Sequence, residues 1–208
     1  MIAIIDYSVG NLFSLSASLD KMGLPWVITR EKSQIESASH VILPGVGAFR
    51  DAISQLTQNG LDQIVIEQAQ KKPLLGICLG MQLLFDKSYE FGEYDGLGLI
   101  SGGICPIKEE LTTSLKVPHI GWNKLDITQE SPLLNYTKNG DFVYFVHSFY
   151  AKTDKKHITS TSEYEIPITA TVNHGMVYGC QFHPEKSGEV GLNMLKAFYE
   201  TTPKGGRL

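Results

Sequence analysis

Along the first half of the chain, short runs of consecutive apolar residues alternate with longer segments whose apolar positions recur every three or four residues. The runs read as strands buried on both faces, and the periodic segments as helices with one apolar side. Strands are predicted at residues 2–5, 26–29, 41–43 and 74–77, and a helix over 11–22 closed by Gly23. Between residues 48 and 72, Phe49, Ile53, Leu56, Leu61, Ile64 and Val65 suggest one broken helix or two, interrupted near Asn59-Gly60, before Pro73 opens the next strand. Such alternation implies the α/β class, a parallel sheet with helices on both faces.

After about residue 95 the texture changes to short strands separated by Gly, Asn and Asp turns, predicted at 97–100, 103–108, 122–127, 142–146, 157–161, 169–172 and 176–181. Asn173-His174-Gly175 reads as a hairpin turn. A closing helix over 189–201 carries Val190, Met194, Leu195 and Phe198 on one face. No repeat, low-complexity tract or linker divides the chain, so one domain over 1–208 is expected.

Chemistry enters at Leu74-Leu75-Gly76-Ile77-Cys78-Leu79-Gly80-Met81-Gln82. A buried strand runs through two glycines into a segment with Met81, Leu84 and Phe85 at helical spacing, the pattern of a nucleophile elbow carrying a thiol. The following helix would aim free N–H groups at the sulfur, favouring thiolate and offering Leu79 N–H to an oxyanion. A small buried hydrophobe is the alternative for Cys78.

Cysteine attack on a carbonyl needs a base that later serves as an acid, and a group that orients the base. Gln181-Phe182-His183-Pro184-Glu185 supplies both in His183 and Glu185, although the same residues could make an ordinary turn. Pro44-Gly45-Val46-Gly47, following the third strand, has the glycines that let main-chain N–H groups of Gly45, Val46 and Gly47 approach an oxyanion; an ordinary loop is the alternative. In an open α/β sheet both loops belong at the carboxyl edge of the strands, where ligands bind.

Composition narrows the partners. The chain has 208 residues, 42% hydrophobic, and a net charge of −4 with Lys and Arg scattered, which argues against nucleic acid or an anionic membrane. Cys78, Cys105 and Cys180 form no CxxC pair, so neither a disulfide framework nor zinc is expected, and a reducing cytoplasm suits them. His183-x-Glu185 also lacks the downstream Pro-Cys-x-x-Cys of zinc deaminases. No Gly-x-Gly-x-x-Gly or P-loop occurs, and no cofactor is expected. The first residues lack a basic segment and a long apolar run, which argues against a signal peptide or membrane span.

Four blocks together resemble the class I, triad-type glutamine amidotransferases: Pro44-Gly45-Val46-Gly47-Ala48-Phe49, Gly76-Ile77-Cys78-Leu79-Gly80-Met81-Gln82, Val146-His147-Ser148-Phe149-Tyr150 and Gln181-Phe182-His183-Pro184-Glu185-Lys186-Ser187-Gly188. Asp6-Tyr7-Ser8-Val9-Gly10-Asn11-Leu12, the PGVGAF form of the loop and Val117-Pro118-His119-Ile120-Gly121-Trp122-Asn123 resemble one branch, the glutaminase subunits of imidazole glycerol phosphate synthase.

The resemblance implies a flavodoxin-like, open, mostly parallel twisted sheet. It implies hydrolysis of L-glutamine by a Cys78–His183–Glu185 triad, with ammonia passed to a separate (β/α)₈ cyclase subunit in histidine biosynthesis. A barrel of about 250 residues does not fit within this chain, so a heterodimer is expected. By the same analogy Gln82, Glu90, Ser148 and Phe149 hold the substrate's amino and carboxylate groups, and Asn11, Trp122, Asn123 and Tyr144 lie toward the cyclase. Ser8 stands where the family usually has glycine, and Ser101 where proline is common. The rival readings are another triad-type amidotransferase and a non-hydrolytic elbow-cysteine redox protein.

Overall fold

Residues 1–202 are described in a computed structural model of the chain. Its first half alternates as expected: β1 (Ile2–Ile5), α1 (Leu12–Lys21), β2 (Trp26–Thr29), α2 (Lys32–Ser37), β3 (His40–Leu43), α3 (Phe49–Gln58), α4 (Leu61–Ala69), β4 (Leu74–Ile77) and α5 (Leu79–Gln82). Strand alternation sends Ile2, Ile4, Ile42, Leu75 and Ile77 to one face, against Leu15 and Leu19 of α1. Ala3, Ile5, Val41, Leu43 and Leu74 point the other way, against Phe49, Ala52 and Leu56 of α3 and Leu61 and Val65 of α4. Asn11 caps α1, its Oδ1 accepting from Ser14 N at 3.4 Å, and Gly60 takes φ +65 to separate α3 from α4.

The second half adds β5 (Phe85–Ser88), β6 (Tyr94–Asp95), β7 (Ile100–Pro106), β8 (His119–Lys124), β9 (Asp126–Ile127), β10 (Phe142–His147), β11 (Phe149–Lys152), β12 (Ile158–Tyr164), β13 (Ile166–His174), β14 (Val177–Cys180) and α6 (Gly188–Tyr199). The main sheet has the order β2-β1-β3-β4-β14-β13-β12-β9. From β2 to β14 it is parallel, and the remaining pairings are antiparallel. α6 covers the α1 face with Met194, Leu195 and Phe198. Two further sheets, β8 with β10 and β11-β7-β5-β6, bring Val143 and Phe145 to the α1 face and Phe85 and Ile104 to the other.

Four expectations change. The helix after Cys78 is a single turn, and Phe85, expected on it, opens β5. Leu97 N donates to Leu83 O, Leu99 N and Ile100 N to Leu84 O and Gly98 N to Phe85 O, so the acceptors a longer helix would use are taken by the returning chain. The predicted strands at 97–100 and 103–108 are replaced by one strand, β7, that begins at Ile100. The strand predicted at 122–127 is split into β8 and β9, and the β13–β14 turn falls one step late, at Gly175-Met176 between the paired His174 and Val177.

Candidate active site

The chain leaves the carboxyl edge of β1, β3, β4 and β14 in four loops, which carry the predicted Asn11, Gly45, Val46, Gly47, Cys78, His183 and Glu185, whereas Glu90, Trp122, Asn123, Tyr144, Ser148 and Phe149 come from the second half of the chain. Cys78 leaves β4 at φ +54, ψ −113, a conformation disfavoured for a residue with a Cβ, and its N–H is anchored on Cys180 O at 2.8 Å. The glycines beside it are required by contact: a Cβ on Gly80 would lie 1.9 Å from Leu43 O, and one on Gly76 2.7 Å from Gly80 O. The bend therefore presses directly on β3. A four-residue helix has little macrodipole, so the whole-helix field expected to favour the thiolate is weak here.

His183 follows β14, and its Nδ1 lies 2.8 Å from Glu185 Oε1, with both side chains almost wholly buried. Burial alone would lower the His183 pKa, but hydrogen bonds to the Cys78 sulfur and to Glu185, with their charges, outweigh it and raise the pKa to about 10. The ring is thus an imidazolium at neutral pH, between a sulfur and a carboxylate. Ser187 Oγ fixes the loop by donating to His183 O at 2.7 Å and accepting from Tyr144 N at 3.0 Å.

The Pro44–Gly47 loop arches over the same edge. Gly45 is buried so tightly that a Cβ would meet Gly80 N at 2.7 Å, whereas Val46 and Gly47 are exposed, with Gly47 at φ +92. A cleft of about 820 Å³ opens between the loop and the second half, lined by Val46, Gly47, Cys78, Leu79, Gln82 and Glu90 on one side, and by His147, Ser148, Phe149 and His183 on the other.

A glutamine amidotransferase class-I family profile matches residues 3–201. The chain belongs to that family. The imidazole glycerol phosphate synthase subunit HisH of Oceanobacillus iheyensis is 48% identical over 96% of this chain and 98% of its own length. The HisH subunits of Listeria monocytogenes serotype 4a (47% over 97% and 96%) and Lactococcus lactis (48% over 96% and 98%) are similarly related. In fold the chain resembles a crystallised glutamine amidotransferase (TM-score 0.73, 15% identity, 96% of this chain and all of that one) and PurLQS from Thermotoga maritima (TM-score 0.72, 18% identity, 95% and 96%).

Within this amidotransferase domain the remaining predicted residues divide by environment. Gln82 is buried, and one nitrogen makes two bonds: Nε2 donates to Phe149 O at 3.1 Å and to Gln181 Oε1 at 3.0 Å. Its Oε1 is the atom left for a ligand. Glu90 accepts from Phe49 N at 2.6 Å, and burial raises its pKa against that bond. Phe149 stacks edge-on against Phe91, which is 87% exposed at the cleft rim. Of the residues assigned to a partner face, Trp122 is 55% exposed and packs on Tyr144, with ring centroids 6.1 Å apart, and Lys186 Nζ lies 5.9 Å above the Tyr144 ring. Asn11 is half-buried as the α1 cap, and Asn123 Nδ2 donates to Glu163 O at 2.8 Å.

Residues not singled out from sequence also shape the site. Tyr7 is fully buried and donates its hydroxyl to Pro44 O at 2.5 Å, pinning the root of the loop. Ser8, already marked in the sequence as a departure from glycine, adopts φ +68, the left-handed region that favours glycine. Gln181 Nε2 lies 3.9 Å from Cys78 Sγ. Both Tyr7 and Gln181 sit inside quoted motifs, so the signal was present, but spacing alone does not tell which motif residue turns inward. Among the described residues no group of His, Cys, Asp and Glu is arranged to hold a metal ion, and no helix is long and apolar enough to cross a membrane.

Proposed function

We propose that this chain is the glutaminase subunit of imidazole glycerol phosphate synthase, releasing ammonia from L-glutamine for a (β/α)₈ cyclase subunit. The observation that carries this reading is the buried Cys78–His183–Glu185 array at the strand edge, open to one cleft. Nearly full-length identity to HisH subunits supports the choice of synthase. Cys78 thiolate attacks the side-chain amide carbon. Leu79 N–H and N–H groups of Gly45, Val46 and Gly47 receive the oxyanion, each such donor being worth about 3–4 kcal/mol. The His183 imidazolium gives its proton to the departing amide nitrogen, ammonia leaves, and a γ-glutamyl thioester remains on the sulfur. Neutral His183 then takes a proton from water, whose hydroxide attacks the thioester, and the thiolate departs as glutamate forms. Glu185 holds the ring in one tautomer throughout.

Gln82 Oε1, Glu90, Ser148 and Phe149 bind the amino-acid end of glutamine, and Asn11, Trp122, Asn123 and Tyr144 face the cyclase. The exposed Val46-Gly47 stretch, with Gly47 free to reorient, leaves the oxyanion donors uncommitted until the partner docks. The test is to mix the chain with the cyclase subunit and assay glutamine-dependent product. Product with this partner, and glutaminase turnover that rises when liganded cyclase is added, are expected. Product only with a different synthase would overturn the assignment, and equal turnover with and without the cyclase would overturn the gating.

A further inference from the structure

Resting on that reading of Cys78 as nucleophile, we propose that the Gln181 carboxamide is a further catalytic group, its Nε2–H donating to the Cys78 sulfur and steadying it as an anion. Gln181 directly follows β14, is wholly buried, and directs Nε2 to Sγ at 3.9 Å, within hydrogen-bond reach for sulfur. The direction of this amide is fixed by its neighbours. Phe149 O can only accept, so the Gln82 end facing it at 3.1 Å is the nitrogen. The second hydrogen of that nitrogen needs an acceptor, which Gln181 Oε1 provides at 3.0 Å. With its oxygen committed there, Gln181 turns its NH₂ toward the sulfur.

The polarity of one backbone carbonyl beside the cleft thus passes through two buried amides to the reacting atom. A donor favours a sulfur bearing charge over a protonated or acylated one. It therefore stabilises the thiolate before attack and again as the thioester breaks, complementing the imidazolium on the other side. No bond is made or broken at Gln181 itself.

The experiment follows alkylation of the full chain by iodoacetamide as a function of pH, quantified by mass spectrometry on the peptide carrying Cys78, which separates it from Cys105 and Cys180. Gln181→Met keeps the length and loses the donor. Its alkylation midpoint is expected to rise by about one pH unit, with Cys78 labelling near neutral pH falling about tenfold, the worth of a hydrogen bond to a charged group. Gln82→Met is the second variant. It adds no charge and cannot donate to Gln181 Oε1, so the Gln181 amide loses its fixed direction and the midpoint rises again, even should Gln181→Met fail to fold. Wild-type midpoints in folded Gln181→Met and in Gln82→Met would overturn the proposal and leave Gln181 a packing residue. Glutaminase turnover surviving in Cys78→Ala would instead overturn the nucleophile reading, so the two failures are distinguishable.

Discussion

His183 Nδ1 and Glu185 Oε1 stand 2.8 Å apart with both side chains sealed from solvent, although only Pro184 separates them in the chain. The rigid residue between them and the Ser187 clamp hold that contact, and Tyr144 of β10 ties the loop down by donating its N–H to Ser187 Oγ and accepting from His183 N. Glu185→Gln keeps the shape but removes the charge that supports the imidazolium. Glutaminase kcat with the cyclase present, assayed where the variant is folded, is expected to fall on the order of 10³–10⁴-fold. A variant retaining near-normal turnover would show that the carboxylate does not orient the base.

Stability is expected to depend on pH in acid. His147 Nδ1 donates to Phe149 O at 2.8 Å, so its Nε2 accepts from His119 Nδ1 at 3.1 Å. Burial holds both rings neutral, pushing His147 down to about 3 and His119 to about 4. Below 6.5 the unfolded chain takes up protons that the folded chain refuses, so stability is lost as pH falls toward 4. His119→Gln should flatten the urea-midpoint change between pH 6.5 and pH 5; an unaltered change would place the acid sensitivity elsewhere.

Much of this arrangement could be read from the sequence, and the exceptions have physical causes. β1, β3 and β4 are fully buried apolar runs bounded by turns, and the triad lies in short motifs whose local geometry is nearly self-contained. α2 escaped because Ile35 alone among its residues is buried. It is held instead from outside, by the Lys72 ammonium donating to Ile35 O, Glu36 O and Ala38 O at its end. The length of α5 was unreadable for the opposite reason: Leu79 through Phe85 are all buried, so periodicity carries no signal there, and the returning chain at 97–100 decides where the helix stops. The direction of the Gln181 amide depends on a carbonyl of β11, which no local pattern encodes.

Glu90 is tied to the first N–H of α3 at 2.6 Å while bordering the cleft. Glu90→Gln can still accept that bond but offers the substrate's ammonium no charge. KM for glutamine should rise about tenfold to hundredfold with kcat within a few-fold, matching a hydrogen bond to a charged group at about 1.5–3 kcal/mol. Loss confined to kcat would remove Glu90 from the binding of the amino group.

Trp122 is more than half exposed on β8, beside Tyr144 and Lys186. Trp122→Ala should leave the melting temperature of the isolated chain within a few degrees and weaken cyclase binding, measured by titration calorimetry, at least about tenfold. Unchanged affinity would move the docking face away from β8.

In the proposed reaction the sulfur of Cys78 becomes the acyl carrier, and that species can be caught. The chain is mixed with liganded cyclase and glutamine, quenched in acid within a turnover, digested, and the peptide carrying Cys78 is weighed. A γ-glutamyl adduct on that peptide, absent in Cys78→Ala together with glutamate release, is the predicted result; glutamate released at the wild-type rate by Cys78→Ala, with no adduct on the wild type, would contradict it.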